Sequence, residues 1–309
     1  MPRLLLALAM AVAALAQPPA GLAVRIGQLP VATPQREIVA RALSVRDYAR
    51  VAAVLAEVAA ADPPHAREIR AVLGAVEFLR GRMDLAVAAF RDSDSDDTPL
   101  GAEDRFTLAM ALVRLRRNPE ARIQLDRLRR EHTSEPLYLY WLARIDYDQR
   151  RYEEALAKYR SVIQQNPNFS RAYDGLGLTL DMLGRLTEAR EVLTTAVALN
   201  RNAAQPSAWP PENLGYLLLR LGELQKAEEA LREALRYDPR LAICHYHLAR
   251  VLEKEHLEPA AIQAYRAASS LDSSFAEPCY ALGLLYRRLH RPREASAAMA
   301  EFRRRKSTP

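Results

Sequence analysis

The chain has 309 residues, 50% of them hydrophobic and 7% aromatic, and its 44 Lys and Arg against 38 Asp and Glu leave a formal charge of +6. An apolar fraction of that size offsets the entropy of ordering, which excludes a disordered chain. Two cysteines in total exclude a disulfide-stapled miniprotein and a four-cysteine zinc site. Glycine is scarce, at 11, while Ala, Leu, Arg and Glu abound, so helix is favoured at most positions.

In chain order the first element is Met1 to Ala16, in which Arg3 precedes an uncharged run from Leu4 and small residues Ala14 and Ala16 bracket Leu15. This is the pattern of a secretory signal peptide, with cleavage expected between Ala16 and Gln17. The run falls short of the roughly 20 helical residues that span a bilayer, and Gln17-Pro18-Pro19 breaks the helix behind it. No later stretch is apolar enough to cross a membrane. The expectation is an exported chain, secreted or, given its Ala and Arg richness, in a bacterial periplasm. It would be non-membrane-spanning and without a nucleic-acid partner. Residues 17–31 are expected to be an irregular lead-in.

From Pro136 onward the chain repeats. A large-small pair recurs as Leu142-Ala143, Leu176-Gly177, Leu214-Gly215, Leu248-Ala249 and Leu282-Gly283. Thirteen residues beyond each Leu stands Ala155, Ala189, Ala227, Ala261 or Ala295, and four further on a large apolar residue: Tyr159, Leu193, Leu231, Tyr265 or Met299. The period is 34 residues, with a four-residue insert at Ala204 to Ser207. Small residues let two helices approach closely while Leu and Tyr fill the space between them. Gly184 and Gly222 fall where a first helix must end in the left-handed conformation, a place taken by His256 and His290 in later repeats. Upstream, Leu73-Gly74 with Ala86 and Phe90, and Leu108-Ala109 with Ala121 and Leu125, follow the same template more loosely. Pro206, Pro210 and Pro211 mark a break in the series and a place for a hinge.

This pattern resembles the tetratricopeptide repeat, a 34-residue helix-turn-helix unit. Tyr173 before Leu176-Gly177, Tyr286 after Gly283, and the closing Pro167 and Pro239 match it, whereas Arg201 and Ser273 replace the closing proline elsewhere. The resemblance implies an all-α, right-handed superhelical solenoid over residues 32–309. Its units would lie near 32–65, 67–100, 102–135, 136–169, 170–203, 208–241, 242–275 and 276–309. It also implies a concave groove lined by the first helix of each unit, here offering Tyr140, Arg144, Tyr147, Tyr216, Arg220, Tyr246, Arg250, Tyr280, Arg287 and Arg288 to a protein or peptide partner. Tyr and Arg are the residue types that most often anchor interfaces. The Lys/Asn clamp of some family members has no counterpart at these places.

Other features have a plainer alternative beside the functional one. The segment from Ala276 carries eight Lys and Arg against three Glu, which suits either contact with an anionic protein or lipid surface or a solvated helix end. Met299 and Phe302 on a last, uncapped helix suggest self-association into a homo-oligomer as an alternative function. Carboxylates from Asp92 to Glu103 imitate a calcium loop, but Asp97 stands at the turn-glycine position and Pro99 lies inside, which favours an acidic connector. Cys244 and Cys279 would either bridge or pack as thiols. Cys244 and His247, one helical turn apart, are the remnant of a metal cluster that helix geometry scatters. No catalytic, nucleotide or metal-protease motif is present, so the reading is a non-enzyme with no cofactor and no metal.

Overall fold

The computed structural model describes residues 22–95 and 99–307. The expected signal segment with its expected cleavage site, and Asp96 and Asp97 of the segment read as an acidic connector, lie outside them. The described residues form seventeen α-helices joined by short turns, with no strand among them. The fold is the expected all-α helical-repeat solenoid. By compactness the chain divides into two units, residues 1–150 and 151–309.

The first unit holds α1 (Leu22–Gln28), α2 (Thr33–Ser44), α3 (Tyr48–Ala61), a 3₁₀ turn at Pro63–His65, α4 (Ala66–Leu79), α5 (Met83–Ser93), α6 (Ala102–Arg114), α7 (Asn118–Glu131) and α8 (Pro136–Asp148). The second holds α9 (Tyr152–Gln165), α10 (Ser170–Met182), α11 (Leu186–Arg201), α12 (Trp209–Leu221), α13 (Leu224–Tyr237), α14 (Ala242–Lys254), α15 (Glu258–Leu271), α16 (Glu277–Arg288) and α17 (Pro292–Ser307). Within each unit consecutive helices pack as antiparallel hairpins, α4 on α5, α10 on α11, α12 on α13, α14 on α15 and α16 on α17. Proline opens α2, α7, α8, α12, α15 and α16, where a missing N–H costs no hydrogen bond.

The turn inside each hairpin has a common device. Gly81, Gly184 and Gly222 take φ of 77°, 76° and 80°, and Arg46, Arg116, His256 and His290 take 57°, 60°, 58° and 55°; Arg150, the last residue of the first unit, takes 61°. The residue after the left-handed one donates its N–H to a first-helix carbonyl five residues back, as Arg185 to Leu180 and Leu257 to Leu252, both at 2.9 Å. These bonds satisfy the last carbonyls of the helix. Packing explains the small residue of the repeat pair. A Cβ on Gly177 would sit 2.5 Å from Leu193 Cγ, and one on Gly215 2.6 Å from Leu231 Cγ. The core runs through this seam, with Ala189, Leu193, Ala227, Leu231, Ala261 and Tyr265 all buried.

Three expectations change. The stretch expected to be irregular contains α1, whose Leu22 and Ile26 are 1% and 4% exposed, because its apolar residues find a surface on α2 and α4. The insert is pinned instead of hinged: Asn200 Nδ2 donates to Ser207 O and its Oδ1 accepts from Ser207 N, both at 2.8 Å, and Pro210 and Pro211 are buried in α12. The last helix turns its apolar side partly inward, with Ala295 buried and Met299 and Phe302 half-buried. Met299 packs on Gly283, and the Phe302 ring lies 5.1 Å from Tyr280. Part of its basic end is engaged too, since Arg304 and Arg305 bond Glu301 and Arg305 Nη1 donates to the carbonyls of Ser269, Asp272 and Phe275, while Arg303, Arg304 and Lys306 stay exposed.

Candidate functional site

The first helices of the second unit, α10, α12, α14 and α16, hold seven of the ten expected groove residues. Tyr246 and Arg250 form an i, i+4 stripe on α14, and Tyr280 and Leu284 continue it on α16 at places 34 residues on, with Arg287 one turn beyond Leu284. Tyr280 and Leu284 are exposed, at 45% and 36%. Leu284 was missed from sequence, although its 34-residue spacing from Arg250 marks it.

Polar contacts tie these helices together in a regular way. Asn213 Nδ2 donates to Asp174 Oδ1 at 2.8 Å, Arg220 pairs with Asp181, His247 Nδ1 meets Glu212 Oε1 at 2.5 Å, and Arg288 reaches Glu253 at 3.1 Å. In each pair a side chain of one first helix meets a carboxylate on the first helix of the preceding hairpin, one register place behind its own. In the first unit Arg114 of α6 stacks 5.6 Å over Phe78 of α4 in the same relation.

Two of the expected anchors, Arg220 and Arg288, are therefore struts between repeats and are not open cations. Rings pack around the same seam. Tyr216 and Tyr246 lie 4.7 and 5.6 Å from the His247 ring, and Tyr246 also meets Phe275 at 5.1 Å. Arg220 and Arg250 stack over Tyr216 and Tyr246 at 5.7 and 5.9 Å. Tyr265 Oη donates to Glu253 at 2.8 Å, and burial pushes its phenol far above the usual tyrosine range. What stays open is Tyr280 and Leu284, on the same helix as Arg287; neither Arg287 nor Arg250 and Lys254 of the preceding first helix joins an ion pair among the described residues.

The remaining three expected residues lie on α8 in the first unit. Tyr140 and Arg144 are buried, at 6% and 8% exposure, and Tyr147 is half-buried. Tyr140 packs edge-on to Trp141 at 5.6 Å. Their hydrophobic surroundings show in Asp148, whose carboxyl burial raises above its ordinary range despite the opposing charges of Arg144 and Arg116. Tyr140 and Arg144 are thus corrected from open anchors to packed residues, because a long side chain on a first helix also has core to fill.

Cys244 and Cys279 are free, buried thiols, each with its own partner: Cys244 Sγ donates to Leu231 O, and Cys279 Sγ meets Ser269 Oγ, both at 3.2 Å. Burial pushes the Cys244 thiol far above its ordinary range, which suppresses the thiolate needed for ligation or attack. His247 is held by Glu212. In the acidic connector, Asp94 accepts from Leu100 N at 2.9 Å and from Arg105, which is the work of a connector carboxylate. No cluster of three or more His, Cys, Asp or Glu suited to a metal occurs among the described residues.

The tetratricopeptide repeat profile matches residues 39–99, 106–168, 142–206 and 213–274. A search of curated proteins returned no match. Among solved structures, the chain is similar to the Cut9-Hcn1 hetero-tetramer of the APC/C, at 17% identity and a TM-score of 0.63, with 89% of this chain and 54% of that one covered. It is similar to PilW, a type IV pilus biogenesis factor, at 17% identity and TM-score 0.60, covering 67% and 94%. Pseudomonas aeruginosa pilF gives 18% and 0.59, covering 66% and 90%. Those identities show likeness of fold alone; the profile spans most of the chain, its matches coincide with hairpins closed by left-handed turns, and the chain belongs to the tetratricopeptide repeat family.

Proposed function

We propose that this protein is an exported, non-catalytic adaptor that binds a protein or peptide segment on the first-helix face of its second unit, within a cell-envelope or secretory assembly. The observation that carries this reading is the exposed Tyr280 and Leu284 pair, with Arg287 on the same helix and Arg250 and Lys254 on the preceding first helix. Apolar side chains open to water invite burial, and cations outside any ion pair favour a segment that brings carboxylates. The struts beneath, Glu212 with His247 and Glu253 with Arg288, hold the face rigid, so little ordering is spent on binding. The leader-like pattern of Met1 to Ala16 supports export.

Two experiments test the reading. Crosslinking pull-down from the native compartment is repeated with Arg250→Ala, Tyr280→Ala and Arg287→Ala combined; loss of a partner supports the face, and recovery of every partner unchanged removes it. Mass spectrometry of the protein from that compartment is expected to read a chain beginning at Gln17. One that retains Met1 overturns export.

A further inference from the structure

The first unit carries a different kind of surface, and part of the chain already sits on it. α1 packs against α2 and α4, which are the first helices of their hairpins. From α1, Arg25 reaches a third first helix, α6, where its Nη1 and Nη2 donate to the two carboxylate oxygens of Asp104 at 2.8 and 2.6 Å. Leu22, Ile26 and Leu29 are 1%, 4% and 4% exposed. Arg36 of α2 fixes the exit by donating from Nη2 to Leu29 O and Val31 O at 3.0 and 3.2 Å. One seven-residue helix and its tail thus engage the first helices of three successive hairpins.

The surface beneath differs from its counterpart in the second unit. Ala75 on α4 and Met110 on α6, both buried, occupy the repeat place held on α8 by the buried Arg144 and in the second unit by Leu178, Tyr216, Arg250 and Leu284, none of which is buried. Val72 and Phe78 of α4, and Val113 of α6, are buried with them. Beneath α1 the first-helix face of α4 and α6 is therefore largely apolar, with the carboxylate of Asp104, itself 8% exposed, at its edge, whereas α8 of the same unit carries Tyr140, Arg144, Tyr147 and Asp148.

We infer that the first-helix face of the first unit is a recognition surface for a short amphipathic helix, and that α1 is its resident ligand in cis. The pattern it reads is apolar at i, i+4 and i+7 with a guanidinium at i+3, which in this chain is Leu22, Ile26, Leu29 and Arg25. The guanidinium fork fixes register through two parallel hydrogen bonds, and the apolar stripe supplies burial. The tether keeps α1 at a high effective concentration, so a partner helix of the same pattern displaces it by being longer, since seven residues are weakly helical alone and added turns add helicity and contacts. None of these residues belongs to the second unit, so the surface stands or falls independently of the face proposed there.

The test uses the full chain and a fluorescent synthetic peptide of residues 22–31. With α1 unlatched by Arg25→Glu and Ile26→Asp, the peptide is expected to bind at least tenfold more tightly than to the unaltered chain. Adding Asp104→Ala to the unlatched chain abolishes the gain. Equal binding to both chains, or binding indifferent to Asp104→Ala, overturns the inference. If circular dichroism shows the unlatched chain unfolded, hydrogen exchange on the unaltered chain decides. Saturating peptide must speed exchange at residues 22–28 while leaving 33–44 unchanged, and no change at 22–28 overturns it.

Discussion

His247 Nδ1 lies 2.5 Å from Glu212 Oε1, and the two side chains are only 1% and 2% exposed. The pair joins α14 to α12, first helices of adjoining hairpins, with the Tyr216 and Tyr246 rings packed against the imidazole. A buried polar group deprived of its partner keeps the cost of desolvation. Glu212→Ala is expected to destabilise the protein by about 3 kcal/mol, and Glu212→Gln, which keeps an acceptor, by about 1 kcal/mol. Urea unfolding followed by circular dichroism checks the order; equal losses would mean that the contact is only space-filling.

The seam between paired helices has no room to spare. Gly177→Ala drives a methyl against Leu193 Cγ and Cδ2, at 2.5 and 2.7 Å from the new Cβ, and should cost about 1–3 kcal/mol. In the double variant with Leu193→Ala, the loss should fall short of the sum of the single losses, because the collision has been removed. A double-mutant cycle in urea measures the difference, and strict additivity would place the cost of Gly177→Ala elsewhere.

How far the sequence reveals this molecule depends on whether a property is local. The Leu176-Gly177 pair and the left-handed Gly184 are visible because close helix approach and positive φ restrict residue choice at one position. Arg46, Arg116 and Arg150 share that backbone conformation without announcing it, since an exposed arginine tolerates the turn at a modest cost. The struts between repeats, such as Asp181 with Arg220, were illegible because each joins residues 35 or 39 apart and depends on the rotation of two helices. The same blindness made Arg220 and Arg288 look like free anchors and Tyr140 look open. α1 was missed because a seven-residue helix is too short for periodicity, and its partner Asp104 lies 79 residues away.

Turns that lack glycine offer a gain in stability. His290 holds φ at 55°, where a side chain costs about 1–2 kcal/mol that glycine avoids, less about 0.5–1 kcal/mol for glycine's greater freedom when unfolded. His290→Gly is expected to raise stability by about 0.5–1 kcal/mol, and Gly184→Ala to lower it by about 1 kcal/mol. Thermal melts of both variants check the pair of signs. A destabilised His290→Gly would show that the imidazole makes a contact worth more than the backbone strain.

Acid sensitivity has an identifiable contributor. Arg201 Nε and Nη2 donate to both oxygens of Glu233 at 2.8 and 2.5 Å, and this pairing holds the Glu233 carboxyl below its ordinary range. With the folded value depressed, the pair's stabilisation is complete above about pH 4.3, the usual glutamate value, and is lost as pH falls through the lower folded value. Arg201→Ala should therefore lose most against the unaltered chain at neutral pH and least near pH 3. Urea midpoints across that range test it, and a gap that widens on acidification would contradict the assignment.

The central claim is that the first-helix face of the second unit is where a partner protein docks. Photo-crosslinking from residue 280 on α16, with residue 194 on the second helix α11 as control, reads this most directly. A partner band is expected from position 280, none from 194, and its loss when Arg250 and Arg287 are both changed to Glu. The same band from both positions, or a band at 280 that survives the charge reversal, would contradict the account.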